Sequence, residues 1–231
     1  MKKYELTAEF IEQWGKKLFR IKALISFGSV EAGELGGYVE KEDNLAQDGD
    51  AWVYGNAWVY GNARVCDDAW VYGDAEVYGD ARVCGNAEVY GDARVCGNAE
   101  VYGNAEVYGN ARVYGDAEVY GDAWVYGNAE VYGNARVCGD AKVCGDADYL
   151  LIGRIGSRFS FTTFFKNKDK GITVSCGCFL GTIAEFRAKV SDTHGNNKHA
   201  KIYNLAADMA ELQILGEEHF ENLNTNKSEP F

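Results

Sequence analysis

Proline is almost absent from this sequence, and histidine and methionine are scarce. Its 231 residues include one Pro (Pro230), two Met and three His, against 28 Gly. Abundant glycine without proline excludes collagen and proline-rich linkers. No stretch approaches the roughly 18 apolar residues of a membrane span, and no apolar run follows Met1. Neither a membrane span nor a signal peptide is therefore predicted.

Acidic charge is concentrated in the middle of the chain. Residues 1–42 carry seven basic and seven acidic side chains, residues 43–148 carry six and 19, and residues 149–231 carry ten and nine. The middle block alone therefore has a net charge of −13, while the whole chain has −12. Such a surface is not expected to bind the phosphates of nucleic acids, and we predict no membrane contact.

The middle block repeats every six residues as Ala-x-Val-(Tyr/Cys)-Gly-(Asn/Asp). Valine recurs at every sixth position from Val53 to Val143, and the glycine position fails once, at Asp67. A six-residue period does not match the 3.6-residue turn of a helix, which Gly followed by Asn or Asp would also interrupt. The repeat therefore predicts a short strand with Val inward, its two neighbours outward, and a tight corner beside an inward Ala.

This repeat resembles the hexapeptide repeats of left-handed parallel β-helices over residues 43–150. The resemblance implies that three hexapeptides form one triangular coil, so the 16 repeated valines make a little over five coils. We expect a mainly β fold: a single-stranded left-handed parallel β-helix with an N-terminal β cap and a small C-terminal α+β module. The expected boundaries are 1–42 for the cap, 43–150 for the β-helix, 151–216 for the module and 217–231 for a frayed tail.

The two ends have different periods. In the cap, alternation around Ile21 predicts a half-buried strand, and Leu35–Glu40 is interpreted as a turn into the first coil. In the module, residues 159–165 and 172–178 predict a hairpin with Cys176 and Cys178 on one face of its second strand. A capping box at Thr182 opens one helix that ends at Gly195. A second helix is expected from about Lys198 to Leu215, with its inward side chains at Ile202, Leu205, Ala206, Met209 and Leu212.

Eighteen-residue spacing predicts ladders of side chains on the outside of the coils. We name one of these surfaces the Trp/Tyr face, and its members are Trp52, Tyr54, Trp70, Tyr72, Tyr90, Tyr108, Trp124 and Tyr126. Large exposed apolar patches mark interfaces, so this face is predicted to bind a partner or another copy of the chain. On the other two faces the stacked rings are interpreted as structural. Cys66 and Cys84 share one of those ladders and are expected to be reduced thiols of a cytosolic protein.

The sequence offers little for catalysis. Many left-handed β-helix proteins are acyltransferases and some are zinc carbonic anhydrases, and both use histidines on or between the coils. Here His194, His199 and His219 all follow the coils, so an acyltransferase-like enzyme is disfavoured and no cofactor is expected. Cys176 and Cys178 with His194 and His199 are a minor metal candidate, because Cys-x-Cys is shorter than the usual zinc spacing.

The ends also resemble parts of uncharacterised proteins encoded by phages and prophages of Gram-positive bacteria, in residues 20–24, 35–40, 176–179 and 193–200. The sequence therefore predicts a non-enzymatic, cytoplasmic scaffold or binding protein with a host protein as a possible partner. It is expected to be a dimer or trimer, assembled through the Trp/Tyr face or the C-terminal helices. The alternative is a phage inhibitor of a host nucleic-acid enzyme or defence protein, whose acidic rod would mimic a duplex. Arginines in the coils count against that alternative, because they interrupt the negative surface.

Overall fold

The computed structural model describes residues 2–217, which form a rod of stacked coils with a module at each end. His219 and residues 218–231 of the predicted tail lie outside the described residues. Within residues 2–217, no helix is long and apolar enough to cross a membrane. The parallel β-helix, the N-terminal β cap and the C-terminal α+β module are all present, as the sequence predicts.

The cap is a three-stranded sheet that continues into the rod. Strands β1 (Tyr4–Gln13) and β2 (Lys16–Ala23) form an antiparallel hairpin, and β3 (Leu35–Val39) pairs antiparallel with β2. On its other edge β3 pairs in parallel with the rod strand Trp58–Val59. The turn predicted at Leu35–Glu40 is therefore wrong, since most of that segment is the strand that joins the hairpin to the coils.

Glycine makes the β3 junction possible. A Cβ atom on Gly37 would lie 2.6 Å from the carbonyl oxygen of Ala57, so only glycine lets the two backbones approach this closely. After β3, a 3-10 turn (Glu42–Asn44) leads into the first coil. The side-chain amide of Asn44 is buried there and donates to the Ala63 carbonyl at 2.7 Å.

Sixteen two-residue strands build the rod, and each consists of the x and Val positions of one repeat. In chain order they are β4 (Trp52–Val53), β5 (Trp58–Val59), β6 (Arg64–Val65), β7 (Trp70–Val71), β8 (Glu76–Val77), β9 (Arg82–Val83), β10 (Glu88–Val89), β11 (Arg94–Val95), β12 (Glu100–Val101), β13 (Glu106–Val107), β14 (Arg112–Val113), β15 (Glu118–Val119), β16 (Trp124–Val125), β17 (Glu130–Val131), β18 (Arg136–Val137) and β19 (Lys142–Val143).

Every third strand of the rod belongs to the same parallel sheet. One sheet has the order β19-β16-β13-β10-β7-β4, and two further sheets complete the triangle. The register is 18 residues, so that Val89 lies beside Val71 on one side and Val107 on the other. Three hexapeptides therefore close one coil, as the resemblance implied, and about six coils are stacked.

Valine and alanine fill the interior of the rod. Each repeated valine from Val53 to Val143 has no exposed surface, and each repeated alanine from Ala51 to Ala141 is at most 1% exposed. The inward assignment of both residues is confirmed. At the corners from Gly49 to Gly139, the glycines adopt positive φ, as at Gly73 (φ 73°), where a Cβ would lie 3.0 Å from the Gly91 nitrogen of the next coil. Glycine thus serves both the turn and the close stacking of coils.

The C-terminal module begins with a 3-10 turn (Asp146–Asp148) and a four-stranded antiparallel sheet. Its elements are β20 (Tyr149–Ile155), β21 (Ser160–Lys166), β22 (Ile172–Cys176), β23 (Phe179–Thr182), α1 (Ile183–His194) and α2 (Lys198–Leu215). The predicted hairpin and both helices are confirmed, while β20 and β23 are additional. Cys178 follows β22 in an exposed turn, so its predicted place on the strand face is wrong.

The sheet of the module lies between the end of the rod and the helices. Phe165 and Tyr149 belong to the same continuous core as the rod valines, whereas Phe164 packs into a second core with Phe186 of α1. Neighbouring residues of β21 therefore face opposite cores. Thr182 caps α1 through the predicted capping box, with the Glu185 carboxylate accepting from the Thr182 amide at 2.8 Å.

Helix α2 presents a different side to the core from the one predicted. Its buried residues include Tyr203, Ala206, Ala207, Ala210 and Ile214. Leu205, Met209 and Leu212 are instead 63%, 57% and 45% exposed. The reason is that small alanines let the helix approach the sheet closely, which leaves the larger apolar side chains on the outer surface. Apolar residues on both sides of α2 made the periodicity ambiguous.

Val101→Asp tests the rod interior. It would place an unpaired carboxylate between Val83 and Val119, and we expect a loss of more than about 4 kcal/mol in the free energy of unfolding. Glu100→Asp, at the neighbouring outward position, is the control and should change stability by less than about 0.5 kcal/mol. Both are measured by denaturant unfolding followed by circular dichroism. Wild-type stability in Val101→Asp would refute the inward assignment of valine.

Candidate functional site

The Trp/Tyr face contains a continuous stack of tyrosine rings. Ring centroids are 4.7 Å apart between Tyr72 and Tyr90, 4.8 Å between Tyr90 and Tyr108, and 5.1 Å between Tyr108 and Tyr126. The first two pairs are within 3° of parallel. Each ring covers its neighbour, so these tyrosines are half-buried although they lie on the outside of the rod.

The hydroxyl ends of this stack are also partnered. The Tyr72 hydroxyl donates to the Glu88 carboxylate at 2.8 Å, and Tyr90 donates to Glu106 at 2.8 Å. Burial raises the pKa of both phenols, and the neighbouring carboxylates raise it further. These tyrosines therefore stay protonated and act as hydrogen-bond donors along the rod.

Trp52 is not part of the exposed face. The cap covers it completely: its ring centroid lies 5.3 Å from that of Phe27 and 6.1 Å from that of Tyr4, and the side chain has no exposed surface. Its assignment to a partner surface is therefore wrong. The cause is the segment between β2 and β3, which folds over the first coil, where Ser29 also contacts the Tyr54 hydroxyl at 3.1 Å.

The remaining tryptophans of the face are half-buried. Tyr54 packs edge-on against Trp70 with ring centroids 5.6 Å apart. At the other end, the Lys142 ammonium lies 4.3 Å from the centroid of the Trp124 ring, a cation–π contact. Every predicted member except Trp52 thus reaches the surface, but each is already packed against residues of this chain.

Cys66 and Cys84 form a disulfide across successive coils. The expectation of two reduced thiols is therefore wrong. The 18-residue register places their Cα atoms 4.8 Å apart, within the range that a disulfide requires. The sulfurs and an Asp67 carboxylate oxygen lie within 4.8 Å of one another. Since the bond uses both thiolates, this group has no free thiolate for a metal while it is oxidised.

The charges of the rod are also organised by the register. Arg94 pairs with Glu76 at 3.2 Å, and Arg136 pairs with Glu118 at 3.0 Å, in both cases one coil apart. At the corners, side-chain amides bridge to the acidic residue of the next coil, as from Asn98 to Asp116 at 2.8 Å. The acidic surface is thus interrupted by cations and amides, which weakens the comparison with a duplex.

The metal candidates of the module do not form one cluster. Cys176 is half-buried and accepts from the Thr162 hydroxyl at 3.1 Å, while Cys178 is exposed. His194 stacks on Tyr203 with centroids 5.7 Å apart and lies 5.9 Å from the His199 ring. Within residues 2–217, the side chains that place three or more ligand atoms close enough to hold one metal ion are Cys66, Asp67 and Cys84. That group contains none of the four candidates of the module.

A surface whose side chains were predicted to face inward lies on α2. We name Leu205, Met209 and Leu212 the helix stripe, because they recur at i, i+4 and i+7 along one exposed side. Lys198 and Lys201 precede the stripe, and the exposed Glu217 follows it. The sequence contained a sign of this surface, because apolar residues lie on two sides of the predicted helix. A single sheet can bury only one of those sides.

Alkaline titration tests the tyrosine ladders. Burial raises the pKa of Tyr78 and Tyr102 to about 12, with neighbouring Cys96 and Glu118 adding to the shift, whereas an unfolded tyrosine has a pKa of about 10. The resulting stabilisation is complete below pH 10 and is lost as the pH rises through about 12. We expect tyrosinate absorbance to appear later in the native protein than in guanidinium. Superimposable titration curves would contradict the buried ladders.

The comparison with known families agrees with the architecture of the rod. The family model described as the YdcK beta solenoid repeat matches residues 57–73, 81–97, 105–121 and 111–127. No curated protein matches the chain. Repeats that match this model lie wholly within the stacked coils that the structure shows, with their 18-residue register. The chain is therefore a β-solenoid repeat protein.

Proposed function

We propose that this chain is a non-enzymatic scaffold, in which a stiff rod holds the cap and the C-terminal module apart and self-association joins copies together. The observation that carries the proposal is the continuity of the hydrophobic core. Ile21 and Val39 of the cap, the repeated valines, and Tyr149 and Phe165 of the module belong to one buried cluster. A continuous packed core fixes the position of the cap relative to the C-terminal module, because protein interiors of this density deform little.

The outer ladders support a role in stiffness. Stacked rings, coil-to-coil ion pairs and amide bridges each link a coil to the next, in addition to the backbone bonds. Cross-strand pairs of this kind contribute about 0.2–1 kcal/mol each. Because they repeat along the rod, their sum favours a rod that does not bend. The exposed parts of the Trp/Tyr face remain our proposed contact for a host protein partner.

For self-association, the helix stripe is the better surface than the Trp/Tyr face. Its three apolar side chains are exposed, while those of the Trp/Tyr face pack on one another. If two α2 helices pair antiparallel about Met209, Leu205 of one copy lies close to Leu212 of the other, and the reverse contact forms by symmetry. This self-complementary pattern suits a twofold dimer. We therefore propose a homodimer joined through α2.

Source and location belong to the same proposal. The resemblance of the ends to phage and prophage proteins supports a phage or prophage origin, and the host cytoplasm would be the corresponding location. The Cys66–Cys84 disulfide would be an exception in that reducing compartment, where structural disulfides are rare.

Met209→Glu tests the proposed dimer. At the centre of the interface, the new carboxylate of one copy would lie beside the same carboxylate of the other copy. The two negative charges repel, so we expect the protein to become monomeric. Glutamate is a good helix former, and the position is exposed, so the fold should be retained. Leu180→Glu is the matched control, since Leu180 is 51% exposed but lies outside the stripe. Sedimentation velocity gives the readout.

The dimer proposal predicts a dimer for the wild type and Leu180→Glu, and a monomer for Met209→Glu. A monomeric wild type, or a Met209→Glu protein that sediments as the wild type does, would contradict assembly through α2.

A further inference from the structure

A cavity of about 210 Å³ lies in the C-terminal module, apart from the rod and from the helix stripe. We name it the module cavity. It opens between the β20–β21 turn, the β22–β23 turn and α1, and it includes Arg158, Cys176, Phe186, Lys189, His194 and Tyr203 in its lining. A cavity of about 150 Å³ accommodates benzene, so this one has room for a single ring with a small substituent.

The walls of the module cavity combine an apolar floor with a basic rim. Phe186, Val190 and Tyr203 are buried and form the floor, while Arg158 and Lys189 are exposed at the rim. No carboxylate lines the cavity among the described residues. That composition is notable in a chain with 35 acidic residues and a net charge of −12. The local charge is the opposite of the overall charge, which favours an anion at the rim.

Arg158 is held beside the cavity by the β20–β21 turn. Gly156 in this turn has φ 72° and packs directly on Tyr203, where any Cβ would overlap the tyrosine ring. Burial raises the pKa of Tyr203 and the Arg158 charge opposes that rise, which places the guanidinium within electrostatic range of the cavity floor. Arg158 forms no ion pair with any residue in 2–217, so its charge is available to a ligand.

The second cation and two hydroxyls complete the rim. Lys189 lies 3.9 Å from Asp192, but both side chains are more than half exposed, so this pair is weak and exchangeable. Ser157 in the same turn and Ser160 at the start of β21 line the same cavity. Guanidinium, ammonium and hydroxyl groups are the donors that bind a carboxylate.

We propose that the module cavity binds a small organic anion with an apolar body, of the size of a benzoate. Its ring would lie on Phe186, Val190 and Tyr203, and its carboxylate would face Arg158 and Lys189. This inference is independent of the scaffold role, because the cavity shares no residue with the helix stripe or with the Trp/Tyr face. The module would then carry a small-molecule site that the rod holds in place.

Benzoate is the probe, and isothermal titration calorimetry of the full chain is the measurement. For a ligand of this size we expect a Kd of about 1 mM or tighter. Arg158→Gln should weaken benzoate binding about tenfold, the loss expected for one charge-assisted contact. Arg154→Gln is the matched control, because Arg154 lies in the same exposed region but does not line the cavity, and it should bind as the wild type does.

Two further ligands separate the contribution of the aromatic ring from that of the negative charge. Benzyl alcohol keeps the ring without the charge, and inorganic phosphate keeps a charge without the ring, so both should bind at least tenfold more weakly than benzoate. The proposal is overturned if benzoate does not bind, if Arg158→Gln and Arg154→Gln bind it equally, or if either control ligand binds as tightly. A thermal melt of each variant confirms that the fold is intact.

Discussion

The backbone hydrogen bond from one coil to the next is the interaction on which this structure depends. In each hexapeptide three amides donate to the following coil, as from Arg82 to Ala99, Cys84 to Val101 and Asn86 to Gly103, at 2.8–3.0 Å. A stack of such coils has an unpaired edge at each end, where donors or acceptors are left over. The cap completes one edge by adding β3, and the module reaches the other, where Thr163 accepts from the Arg136 amide at 3.1 Å.

The composition follows from this stacking. Coils that pair at every corner need glycine with positive φ, a small inward residue beside the corner, and a backbone amide at every second position, which proline lacks. Because the register is 18 residues, each outer side chain meets the residue one coil away. Tyrosines therefore stack, Arg94, Arg112 and Arg136 pair with glutamates, and the Cys66 and Cys84 thiols come close enough to join.

The strict period made the structure of the rod predictable. The structure of the ends was harder to predict, because it depends on contacts between segments that do not follow the period. Inward valine and inward alanine follow from the repeat, the three-hexapeptide coil was implied by the resemblance, and all three are observed. Trp52 looked like its equivalents Trp70 and Trp124, yet it is buried, because the covering segment comes from outside the repeat. Helix α2 has apolar residues on two sides, and the sequence alone does not show which side is buried. The packing of Ala207 and Ala210 on the sheet determines it. Arg158 and Lys189 are distant in sequence, so their shared cavity becomes visible only in three dimensions.

The central claim is that the coils act as a rigid spacer whose length is set in steps of 18 residues. The most direct measurement is the distance between spin labels at Trp14 and Leu180, which are exposed in the cap and the module. It would be taken by pulsed electron paramagnetic resonance in the full chain and in a variant lacking residues 91–108, one complete coil, each diluted into an excess of unlabelled protein so that only distances within one copy contribute. The account predicts two narrow distributions, the second shorter by about 4.8 Å, one strand spacing. Broad distributions, or the same mean distance in both proteins, would contradict it.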